Sequence, residues 1–63
     1  QNNPNYASAC YNLARLHAKS DSLSLSLEYL ARSISLDPQL EEEASSDEYL
    51  SQVLQWDMMR RLQ

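Results

Sequence analysis

Glycine is absent from this chain of 63 residues, and so is phenylalanine. Without glycine there is no easy positive-φ position for tight hairpins or phosphate-cradling loops. Cysteine occurs once, as Cys10, which excludes an internal disulfide and fits a reducing, intracellular setting. Basic residues are scarce: five against nine acidic ones, for a net charge of −4. A nucleic-acid binder needs a basic stripe to neutralise phosphates, so that class is excluded, and attachment to anionic lipid is disfavoured. No apolar run approaches the ~20 residues of a membrane span. The chain opens on Gln-Asn-Asn-Pro, with no initiator Met and no signal-peptide pattern. It reads as processed, or as a piece of something longer. Its length allows one small domain, burying only about 60% of the surface that its unfolded form exposes.

What is present points to helices. Leu, Ala, Glu, Gln, Arg and Met are abundant and favour the helix. Ten serines favour caps and turns. Tyr6, Cys10, Leu13 and His17 recur at helical spacing, widened by Ala9 and Leu16, and predict a helix over about 5–19 with Asn5 as its cap. Residues 1–4 read as a linker or as the end of a preceding unit. Ser20-Asp21-Ser22 breaks the pattern. From Ser22 to Leu27 serine and leucine alternate, nominally a strand pattern. Neither is a preferred strand residue, and Leu23, Leu27, Leu30 and Ile34 make one helical face that outruns the alternation. The second helix is therefore predicted over about 22–36, with Leu25 off its face, either covering a neighbouring element or partly exposed.

Asp37-Pro38 ends that helix and suits the start of another, with Asp37 as cap and Glu41, Glu42 and Glu43 at its positive end. A short helix is expected over about 39–45. Ser45 and Glu48 have capping-box spacing, which predicts a break. A last helix is expected over about 47–61, with Leu50, Val53, Leu54, Met58 and Leu62 along one side and Tyr49, Trp56 and Met59 flanking it.

Pro4 and Pro38 stand 34 residues apart, and 34 is the period of one helical repeat. Between them, Tyr11-Asn12-Leu13-Ala14 resembles the first-helix core of a tetratricopeptide repeat. Ser26 and Ser33 stand at its two small-residue positions with Leu30 at the large one between them, and Leu36-Asp37-Pro38 resembles its closing signature. Cys10 and His17 depart from the family, standing where aromatic residues are usual. The resemblance covers residues 5–38. Residues 39–63 resemble a degenerate capping segment, because Ala44 and Asp47 stand where large residues are expected. The implied fold is all-α: an antiparallel helix-turn-helix repeat followed by a capping helical segment, the C-terminal end of a longer solenoid. Ala14, Ser26 and Ser33 would let the two helices approach, while Leu13, Leu16, Leu27, Leu30 and Ile34 fill the space around them.

The resemblance also implies a function. In the family the first helix lines a concave surface that binds peptides. By position that surface here is Ser8, Tyr11, Asn12, Arg15 and Lys19. Family members often use the residue at the Asn12 position to bond a peptide backbone. Arg15 and Lys19 would favour an acidic ligand or a terminal carboxylate. The expected partner is a protein or peptide, with no cofactor. The alternative is a structural element that self-associates, or that caps an array attached to a larger, possibly enzymatic, protein.

Cys10 and His17 are two turns apart, about 10 Å along a helix, too far to form a nucleophile pair and short of further metal ligands. Glu41–Glu43 with Asp47 and Glu48 could attract a cation or a basic partner, and such a run is more often a solvated helix start. Trp56, Met58 and Met59 either pack onto the second helix or form an exposed contact surface. No residue set calls for a metal or a catalytic role.

Overall fold

The structure, a computed structural model, describes the backbone of residues 4–62 and the side chains of residues 6–62. It is all-helical, with no strand among the described residues. Helix α1 spans Pro4–Lys19, α2 Leu23–Leu36, α3 Leu40–Ser46 and α4 Leu50–Arg61. The first two form the principal packed pair, and α3 and α4 pack against that pair, where Ala44, Leu50 and Val53 meet Ala14, Ala18 and Leu30 in one core.

α1 begins one residue earlier than the periodicity suggests. Pro4 is already helical, and Asn5, expected to be the cap, lies inside the helix. A proline suits the first turn because that turn leaves its N–H groups unpaired anyway. At the other end the chain reverses through a Schellman motif. Ser22 N–H reaches His17 O at 2.8 Å and Asp21 N–H reaches Ala18 O at 3.2 Å. This turn needs a left-handed residue, and with no glycine in the chain Asp21 supplies it at φ 63°.

The hairpin is held close by small side chains. Ala7, Cys10, Ala14 and Ala18 face α2 from α1, all below 9% exposed. Ser26 and Ser33 answer from α2 at 0%, with Leu30 filling the space between them. Ser26 Oγ donates across the interface to Ala14 O at 2.7 Å, so its buried hydroxyl is satisfied in the neighbouring helix. Ser33 Oγ bonds Leu30 O, one turn back in its own helix. The Ser–Leu alternation is helix throughout, and Leu25 is 46% exposed.

Leu13 and Leu16 do not fill the core as expected. They are 38% and 58% exposed, because the core lies on the α1 face that carries the small residues, and no described element covers the opposite face. Leu40, Ala44, Leu50 and Val53 supply the core from α3 and α4. Met58 and Leu62, expected to continue the buried side of α4, are 65% and 81% exposed; only the first half of α4 is buried.

The α3–α4 break is present but is made by another residue. Ser45 Oγ bonds back to Glu41 O, so the expected capping box does not form. Asp47 takes the role instead. It has extended backbone, φ −80° and ψ 138°, and its Oδ1 accepts the N–H groups of Tyr49 at 2.8 Å and Leu50 at 3.0 Å. Asp37 acts similarly before α3, its Oδ1 accepting Gln39 N–H at 3.2 Å.

Candidate functional site

Spacings of four, three and four residues put Ser8, Asn12, Arg15 and Lys19 in one strip along α1, at about 100° per residue. Tyr11 sits beside the strip, on the side nearer the core. The five residues implied by the repeat resemblance are thus neighbours in space, but they are not equivalent. Ser8 and Asn12 are exposed and point no bond elsewhere among the described contacts. Tyr11 and Arg15 are half-buried.

Arg15 is engaged within the fold. Its Nε lies 2.9 Å from Asp47 Oδ2, and the Arg15 and Asp47 side chains are 42% and 13% exposed. The N–H does not point along that line, so the contact is an ion pair without a hydrogen bond, and the buried Nε is left without a partner. Asp47 therefore does two things at once: one oxygen caps α4 and the other holds α1. Sequence reading identified the cap-rich segment but missed this pairing, which joins residues 32 positions apart and has no local signal.

Tyr11 lies against the same junction. Burial pushes its phenol pKa up from 10.0, and the negative charges of Asp47 and then Glu43 push it further, against a smaller opposing effect from Arg15. Lys19, at the end of the strip, places Nζ 5.3 Å from the centre of the Tyr49 ring. The strip therefore offers a hydroxyl, an amide and one exposed ammonium. The positive field expected from two cations is reduced, because Asp47 balances Arg15.

The other sequence candidates separate. Met58 and Met59 are exposed at the end of α4, while Trp56 is half-buried with the Arg60 guanidinium 4.6 Å from its ring centre. Asp57 holds both Arg60 and Arg61, at 2.8 and 3.2 Å. These three groups stand at the opposite end of α4 from Asp47 and do not join the α1 strip. Cys10 is buried, and His17 turns to α2, where it stacks on Tyr29 with centroids 5.5 Å apart and planes at 10°. Among the described residues no three His, Cys, Asp or Glu side chains are placed to hold a metal ion, and no helix is long and apolar enough to cross a membrane. Glu41, Glu42 and Glu43 are exposed along an open depression with Pro38, Gln39 and Ser45.

No family model, no curated protein and no solved structure matches this chain.

Proposed function

We propose that the chain is a protein-interaction module of the helical-repeat kind, and that α1 presents Ser8 and Asn12 to the backbone of a bound peptide. The observation that carries this reading is the contrast within one strip. Arg15 is paired with Asp47 at the α3–α4 junction and Tyr11 is half-buried, whereas Ser8 and Asn12 are exposed on the same helix, with no side-chain bond among the described contacts. An exposed amide that can donate and accept at once is suited to an extended peptide, whose N–H and C=O groups both need partners. Lys19 at the end of the strip favours an acid at one end of the ligand. The ligand is less acidic overall than the sequence implies, because Glu43 and Asp47 lie beside the strip.

Selection of a phage-displayed random peptide library against the chain tests this. Selected peptides should weaken at least about tenfold, or 1.4 kcal/mol, on Ser8→Ala with Asn12→Ala. They should keep their affinity on Glu41→Ala. Arg15 is left unchanged in this test, since altering it would disturb the fold. Peptides that ignore the double substitution and compete with changes at Met58 or Met59 would place the contact surface on α4, as the assembly alternative requires.

A further inference from the structure

The outward side of α2 carries a second pattern, independent of the α1 strip. Leu25, Tyr29, Arg32 and Leu36 follow one another at spacings of four, three and four, which places them within about 60° of arc on α2. Leu25 and Leu36 are 46% and 40% exposed, Arg32 is exposed, and Tyr29 is half-buried under His17. The stripe is about 16 Å long. Two leucines on a solvent-facing side with no covering element are an uncompensated apolar surface.

We infer that this stripe pairs with the same stripe of a second copy of the chain, antiparallel about a two-fold axis between Leu30 and Ala31. The occupant follows from the pattern. A four-three-four spacing reads the same in both directions, so an antiparallel copy sets Leu25 against the second copy's Leu36 at both ends. In the middle Tyr29 stays engaged within its own chain, with His17 stacked on its ring and the Arg32 guanidinium 5.8 Å from its centre. Glu28 is exposed beside the stripe, one position from facing the second copy's Arg32. Among the described residues neither Glu28 nor Arg32 forms an ion pair within the chain. The pairing therefore matches apolar to apolar at the ends and acid to cation near the centre, as an isologous interface must. A single stripe covers less than the ~800 Å² per partner of a standard interface, so the dimer is reversible and concentration-dependent. This inference does not rest on the peptide reading, because the stripe and the Ser8–Asn12 strip lie on different helices.

Sedimentation velocity from about 10 to about 500 µM at neutral pH tests it, a range that brackets Kd values of about 40–200 µM. The expected result is a shift from monomer toward dimer across the range. Leu36→Arg should hold the chain monomeric throughout with an unchanged far-UV spectrum, and Leu25→Arg gives the same test from the other end of the stripe. Glu28→Arg alone and Arg32→Glu alone should each weaken association several-fold, and the two together should restore it. A wild-type chain that stays monomeric to the top of the range overturns the inference. So does a dimer that survives both leucine changes, or that is lost with Leu16→Arg or Met59→Arg instead.

Discussion

Asp47 caps α4 with one oxygen and pairs with Arg15 through the other, and these two roles can be separated. Asp47→Asn keeps a competent cap for the N–H groups of Tyr49 and Leu50 but removes the charge that faces Arg15. Asp47→Ala removes both. Losing a helix cap costs about 1 kcal/mol. The ion pair is worth about 0.5 kcal/mol, since the Arg15 side chain is 42% exposed and solvent screens it. Asp47→Ala should therefore cost about 1.5 kcal/mol and Asp47→Asn about 0.5 kcal/mol. Domains of this size hold only about 0.05–0.15 kcal/mol per residue, so the larger loss is a sizeable share of the total. At roughly 4–8 °C per kcal/mol, the midpoint should fall by about 6–12 °C for alanine and about 2–4 °C for asparagine. Thermal melts followed at 222 nm on wild type, both single variants, Arg15→Ala, and Arg15→Ala combined with Asp47→Asn give the answer. The combined variant should be no worse than Arg15→Ala alone, because both remove one interaction. If asparagine costs as much as alanine, or alanine leaves the midpoint where it was, Asp47 does not hold α4 to α1 in the way described.

Three further outcomes are expected. Asp21→Gly should raise stability by about 0.5–1 kcal/mol in urea unfolding, because glycine relieves the left-handed backbone at φ 63°; Asp21→Val should lower it. Ala14→Leu should cost at least about 1–3 kcal/mol, since a fully buried alanine against Ser26 leaves no room for a larger side chain, whereas Leu16→Ala on the open face of the same helix should fall within about 0.5 kcal/mol. The Tyr11 pKa is raised in the fold, so its stabilising share is present below the unfolded value of 10.0 and is lost as pH rises through the folded value. Absorbance titration at 295 nm should show a late-ionising phenol from Tyr11, and Tyr11→Phe should remove both that step and the matching loss of alkaline stability.

Much of the hairpin was legible in the sequence, because it rests on local rules. The repeat resemblance implied small residues at Ala14, Ser26 and Ser33 with Leu30 between them, and the polar break at Ser20–Ser22 separates the two helices that they join. The break after α3 was legible for the same reason, although Ser45 was credited with a cap that Asp47 makes. The strip on α1 was only half legible. Periodicity puts Asn12 and Arg15 on the same surface and cannot distinguish them, since what separates them is a carboxylate arriving from another helix. The burial of α4 failed for a related reason. Leu50, Val53, Met58 and Leu62 share a period, but how far along a helix its neighbours extend is a matter of their lengths and crossing, which no period records.

The fully buried serines carry a consequence for how this chain can vary. Each hydroxyl is bonded to a backbone carbonyl, Ser26 to that of Ala14 and Ser33 to that of Leu30, and neither partner is a side chain. A carbonyl is present whatever residue occupies its position, so these bonds demand nothing of the partner's identity. What positions 14, 26 and 33 impose is a ceiling on volume. Alanine in place of either serine forfeits one hydrogen bond, about 1 kcal/mol, while valine or anything larger must push the helices apart. Substitutions among the smallest residues therefore cost about one hydrogen bond at Ser26 or Ser33, far less than a larger side chain would cost there. The close approach of the two helices is thus set by an upper limit on size at these positions and leaves the choice among small residues open.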